Sequence, residues 1–171
     1  IYGLNFADAD FAAEIALPVD RWGGNSTSRY NYLFDASNKG SDWFFENHPE
    51  DDTNGDALPY DSVLNRFIRK DADVGADSIV TVGMTGWVTK GRDIVGGFAV
   101  DKYGPQQEVD PWRDYGNGVD LSGNYIRGND PLETSLPVDQ EFTRGWIEHL
   151  VEQHGTAEAG GVRYYALDNE P

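Results

Sequence analysis

The sequence predicts an α/β fold: the first half, about four βα units, of a (β/α)8 TIM barrel, truncated after its fourth strand. Three observations carry that expectation. Runs rich in β-branched and aromatic residues alternate with segments of helical periodicity, the pattern of βα units around a parallel sheet. The segments that follow strands, 23–60 and 86–137, are long and rich in Gly, Asp, Pro and aromatics, whereas the helix-to-strand turn at QHGTAEAGG is short. In such a barrel the long loops lie at the carboxyl ends of the strands, where active sites are built. An open sheet with insertions is the competing arrangement.

The elements read in order. IYGLNFA (1–7) is a short strand, and DADFAAEIAL (8–17) a brief helix with Phe11, Ile15 and Ala12 on one face. LPVDRW (17–22) is a second strand, ended by Gly23 and Gly24. Asp61 is a plausible N-cap for a helix in which Leu64, Phe67 and Ile68 recur at helical spacing and which Gly75 closes. SIVTVGM (78–84) reads as a buried strand. Asp139 caps a helix with Phe142, Trp146, Ile147, Leu150 and Val151 as its apolar stripe, and Gly155 stops it. VRYYALD (162–168) is the fourth strand. No internal repeat or low-complexity tract divides the chain, so 1–171 reads as one partial catalytic barrel domain.

The formal charge of −17 and a pI near 4.2 make phosphate backbones and anionic membranes poor partners. A neutral polymer or a cationic ligand fits better. There is no cysteine, which removes disulfides and thiolate metal sites. No apolar run approaches the ~20 residues that span a bilayer. The chain opens on Ile1 in strand-like sequence, without an initiator Met or a signal peptide, and stops at Pro171. It therefore looks excised from something longer. The aspartate-rich balance suits an exported or salt-exposed protein, the absence of cysteine is compatible with bacterial export, and a monomer is expected. Aromatics make up 13% of the residues, many of them among Asn, Asp and Gly. Such residues either stack on sugar rings in a groove or pin loops to a core.

The closing stretch, YYALDNEP (164–171), delivers Glu170 at the end of a strand. Glycoside cleavage needs two carboxyl groups flanking the bond, one to protonate the leaving oxygen and one to attack or to activate water. Glu170 is placed to be the acid and Asn169 to hydrogen-bond a sugar hydroxyl. A surface turn can also read Asn-Glu-Pro. Strict strand alternation cannot send both side chains to one side, so both uses require the strand to end or bulge there.

In VDRWGGNSTSRYNY (19–32), Arg21 and Trp22 end a strand before a polar run that begins at Asn25. An arginine at a barrel mouth can orient a nucleophilic carboxylate. Arg21 can equally pair with Asp20 or Asp168, and Trp22 can fill the core. Asn25 heads a formal glycosylation sequon, but a glycan there would obstruct a cleft, so it is counted with the substrate-binding candidates. Trp43 and Trp87 are further candidate platforms for a sugar ring. Asp52, Asn54 and Asp56 have the first, third and fifth spacing of a calcium loop, yet Ala57 and Val63 stand where it needs Gly and Glu. An irregular site drawing on Glu46, Asp56 or Asp61 is the remaining metal candidate, and a solvated acidic loop is the alternative.

At RWGGNSTSRYNY, SDWFFEN and the terminal YYALDNEP, in that order, the sequence resembles glycoside hydrolase family 44, a group of β-1,4-glucan endo-hydrolases. The resemblance implies a (β/α)8 barrel and retaining hydrolysis of cellulose-like glucans and xyloglucan. It makes Glu170 the general acid/base at the end of barrel strand four and puts the nucleophile in a C-terminal half that these residues lack. It makes Arg21 the partner of that nucleophile, and Trp22, Trp43 and Trp87 cleft residues. No cofactor is implied for the chemistry, and calcium is a candidate structural ion. The partner is a β-glucan polysaccharide, with neither nucleic acid nor membrane involved. The alternatives are a β-glucan-binding barrel without catalysis and β-mannan specificity.

Overall fold

The computed structural model describes residues 2–53 and 55–169. In chain order these form β1 (Leu4–Asn5), α1 (Ala9–Glu14), β2 (Val19–Trp22), β3 (Ala36–Asn38), β4 (Asn47–Pro49), α2 (Val63–Val74), β5 (Asp77–Val82), β6 (Trp87–Thr89), α3 (Val100–Tyr103), β7 (Ser135–Pro137), α4 (Gln140–His154) and β8 (Tyr164–Leu167). A short 3-10 helix, Asn25–Arg29, follows β2.

The main sheet is parallel, with its strands side by side in the order β1-β2-β5-β8. Its register aligns Trp22 with Val80 and Val82 with Leu167. These are the four strands expected from the sequence, with β1, β2 and β8 shorter and β5 shifted to begin at Asp77. Helices α2 and α4 pack against one another, and α2 also packs on β2 and β5. Trp22, Tyr30, Leu64, Phe67, Ile68, Val80, Val82, Trp146, Leu150 and Val162 form the buried cluster. The stripe predicted for α4 thus splits: Trp146 and Leu150 are buried, while Val151 is exposed.

The caps explain where the helices begin and end. Asp139 caps α4, accepting from the N–H groups of Glu141 and Phe142. Helix α2 is capped by Ser62 rather than by Asp61, and Asp61 instead pairs with Arg66 and Arg69. Its other end is closed by Gly75, whose φ of 78° is readily adopted only without a Cβ.

Beneath α2 lies a polar knot. Lys70 Nζ sits 2.7 Å from Asp20 and 2.8 Å from Asp71, both fully buried, and Asp71 also accepts from the Ser78 hydroxyl at 2.6 Å. Burial pushes the Asp71 carboxyl above its usual range, against the pull of Lys70 and Ser78.

The two long segments are ordered rather than loose. Each contains a two-stranded antiparallel sheet, β3 with β4 and β6 with β7. Buried asparagines tie them together: Asn31 donates to the Thr89 carbonyl and Asn47 to the Thr134 carbonyl, both at 2.8 Å. The Thr134 carbonyl also accepts from the Lys90 N–H at 3.0 Å.

Candidate active site

The site is assembled at the carboxyl ends of β2, β5 and β8. Arg21 precedes the last residue of β2, and its Nη2 donates to Oδ1 of Asn169 at 2.8 Å. A Cβ on Gly23 would lie 2.5 Å from the Arg21 guanidinium, so only glycine lets that group fold back over the chain. Nδ2 of Asn169 donates in turn to Oδ1 of Asn25 at 3.0 Å. Arginine has only donors, so the Asn169 oxygen faces Arg21 and its amide nitrogen faces Asn25. The arginine partner is thus Asn169 rather than Asp20 or Asp168.

Asp168 forms the corner. Strand β8 ends at Leu167, and Asp168 takes a left-handed φ of 62° while its N–H still donates to the Val82 carbonyl at 2.8 Å. Its buried carboxylate accepts from the Ser28 hydroxyl in a short contact, from the Met84 N–H at 2.9 Å and from the Asn169 N–H at 2.8 Å. Burial raises its pKa, but these three hydrogen bonds outweigh burial and hold the carboxyl below its usual value.

Beside this corner an open cleft of about 680 Å³ is lined by Asn25, Ser26, Lys39, Asp42, Trp43 and His48. Trp43 is 58% exposed, and its indole meets the His48 ring edge-on, centroids 5.8 Å apart at 77°. His48 Nε2 is 3.1 Å from Oε2 of the buried Glu46. The cleft therefore brings together Asn25 and Trp43, two of the candidates read from the sequence.

The other tryptophans behave differently. Trp22 is not a cleft residue. It is 3% exposed and packs edge-on against Phe6, Tyr30 and Phe67, because its side of β2 faces the helices. Trp87 is half-buried and lines a separate cavity of about 290 Å³ with Tyr30, Met84, Phe142 and Trp146. Glu170, the expected acid/base, lies outside the described residues.

The acidic metal candidates do not form one site. Glu46 is buried beside His48, with Arg113 Nη1 3.7 Å away and also bonded to Asp110. Burial first, then the neighbouring Asp110, raises its pKa from 4.5 to about 7. Asp61 is committed to Arg66 and Arg69, and it shares a shallow pocket with Asp56 that does not include Glu46. Among the described residues no group of three His, Asp or Glu side chains is arranged to hold a metal ion. A calcium ion asks for six to eight oxygens, and these three residues do not fit it together.

Sequence reasoning missed Asp168 and Ser28 as site residues. The signal was an aspartate immediately before Asn-Glu, a residue type that tolerates the left-handed region better than most.

The strand ends of this parallel sheet thus carry an arginine–asparagine pair beside an aromatic cleft. The sequence model of glycoside hydrolase family 44 matches residues 36–171, and the chain belongs to that family. It is 31% identical to Endoglucanase A of Paenibacillus lautus, covering 100% of this chain and 23% of that protein. Among solved structures, CelM2, described as a bifunctional glucanase-xylanase protein from a metagenome library, is 41% identical with a TM-score of 0.89, over 100% of this chain and 33% of that one. A family 44 xyloglucanase of Paenibacillus polymyxa is 25% identical with a TM-score of 0.60, over 100% and 32%. The chain spans about a third of the length of these solved relatives and about a quarter of that of the endoglucanase.

Proposed function

We propose that this chain is the acid/base half of a retaining endo-β-1,4-glucanase: the first four βα units of a (β/α)8 barrel, with Glu170 as the general acid/base. The observation that carries the reading is the Arg21–Asn169–Asn25 network at the carboxyl ends of parallel strands, one residue before Glu170 and beside a tryptophan-bearing cleft. In the first step Glu170 gives its proton to the glycosidic oxygen as the C–O bond breaks and a carboxylate attacks the anomeric carbon. In the second, Glu170 takes a proton from the water that releases the sugar. The nucleophile belongs to sequence outside these 171 residues, and the two carboxyls of a retaining pair stand about 5–5.5 Å apart.

Asn169 holds a hydroxyl of the sugar at the scissile bond. Arg21 keeps donors beyond the one given to Asn169, which suits it to keep the attacking carboxylate ionised. Trp43 offers an exposed indole face on which a pyranose ring stacks. The polymeric substrate cannot cross a membrane, so the enzyme acts outside the cell. The relative at 41% identity is described as acting on both glucan and xylan, which favours xylan as a second substrate here.

The test is reducing-end release from soluble β-glucan, xyloglucan and xylan by the full-length product of the gene that encodes this chain. Cleavage of β-glucan within the polymer, with product of retained configuration, is expected. Tight glucan binding without cleavage of any of the three would overturn catalysis and leave a binding barrel.

A further inference from the structure

We propose that Asp168, held by Ser28, is a positioning residue that aims the Asn169 amide at Arg21 and at Asn25 of the cleft lining; this rests on the reading of the site given above. The left-handed φ of 62° at Asp168 breaks the alternation of β8 after Leu167. On a continuing strand, successive side chains would leave on opposite faces. A left-handed residue other than glycine costs on the order of 1 kcal/mol or more and persists only where its surroundings fix it. Here they do. The buried carboxylate accepts from one hydroxyl and two backbone amides, which belong to the segment after β2, the segment after β5 and the residue that follows Asp168 itself.

A third constraint converges on the same corner. A Cβ on Gly83 would come within 2.5 Å of the Ser28 carbonyl oxygen, so glycine is what lets the chain beyond β5 approach Ser28 and deliver the Met84 N–H. All three donors are uncharged, which leaves the Arg21 guanidinium available to Asn169. A buried carboxylate and a strained φ after β8, with an enforced glycine after the neighbouring β5, form a device that sets the direction of one side chain.

The test compares Asp168→Gly, Asp168→Asn and Ser28→Ala with the parent in the full-length gene product. Glycine tolerates the φ but keeps none of the side-chain bonds, while asparagine tolerates it and keeps a carbonyl acceptor. Well below their melting temperatures, kcat on β-glucan is expected to fall by about 30-fold or more for Asp168→Gly and about tenfold for Ser28→Ala, since small misplacements cost that much. Asp168→Asn should recover part of the loss, and KM should stay within about threefold, because the cleft floor is untouched. A crystal structure of the Asp168→Gly protein should show the Asn169 amide moved off Arg21. If the parent and Asp168→Gly cut alike while Glu170→Gln is inactive, the positioning role is wrong and the glucanase reading stands. If the parent does not cut, the glucanase reading fails, and an Asn169 unmoved in the Asp168→Gly crystal overturns the positioning role on its own.

Discussion

Arg21 and Asn169 lie 148 residues apart in sequence, and Nη2 of the arginine donates to Oδ1 of the asparagine at 2.8 Å. The contact joins the ends of β2 and β8, strands that are not neighbours, since β5 lies between them. It orients the one described side chain adjacent to Glu170.

Arg21→Lys keeps the charge but not the planar fork, so it should lower kcat/KM by about 100-fold, with Arg21→Ala at least as severe. Asn169→Ala should cost a similar amount. If the two side chains act as a unit, the double variant loses little more than the worse single one. Multiplying losses in that cycle would show that they act separately.

The tryptophans should separate cleanly. Trp22→Ala opens a cavity in the core and should destabilise the protein by about 3–5 kcal/mol in denaturant titrations. Trp43→Ala should leave the melting temperature nearly unchanged and raise KM for soluble β-glucan by about tenfold, because a lost stacking face is binding energy rather than stability. A Trp43→Ala protein that binds glucan as the parent does would remove Trp43 from the cleft floor.

Strand β5 and both long helices were legible because each carries an apolar pattern over six or more residues, whereas the short β1, β2 and β8 were read from the longer apolar and aromatic runs around them, 1–7, 17–22 and 162–168. Strands β3, β4, β6 and β7 were not, since each spans three residues and their sheets are held by buried asparagines rather than by alternation. Arg21, Asn25 and Asn169 could be read because strand ends are where a parallel fold builds its site. Trp22 could not be assigned from the sequence, because a tryptophan at a strand end faces core or cleft according to a register that two adjacent residues do not reveal. Asp168 was hidden for a related reason: its role depends on a left-handed φ and on donors from two distant segments.

Lys70 sits between two fully buried carboxylates, so Lys70→Met leaves Asp20 and Asp71 together without their cation. Breaking a buried ionic cluster this way should cost about 3–5 kcal/mol, read as a lower denaturation midpoint. A loss below about 1 kcal/mol would mean that the knot is hydrated.

Two carboxyls give opposite pH dependences. At Asp51 burial pushes the pKa up, but the hydroxyl and amide of Thr53, followed by Arg66 and Arg92, bring it down to about 2. Its contribution is therefore present above 3.8 and lost as pH falls toward 2. Asp51→Asn should flatten that acid limb. Glu46, raised from 4.5 to about 7, favours its protonated form in the folded state, so stability declines as pH rises across that interval. Glu46→Gln should remove the decline, and a melting temperature that still falls between those pH values would place its origin elsewhere.

The most direct test of the account is hydrolysis by the Glu170→Gln variant of the full-length gene product, on soluble β-glucan and on dinitrophenyl β-cellobioside. An acid/base role predicts that kcat on β-glucan falls by about 10²–10⁴ while the dinitrophenolate burst, which needs no proton, survives. A variant that cuts β-glucan at the parental rate would contradict the assignment of Glu170.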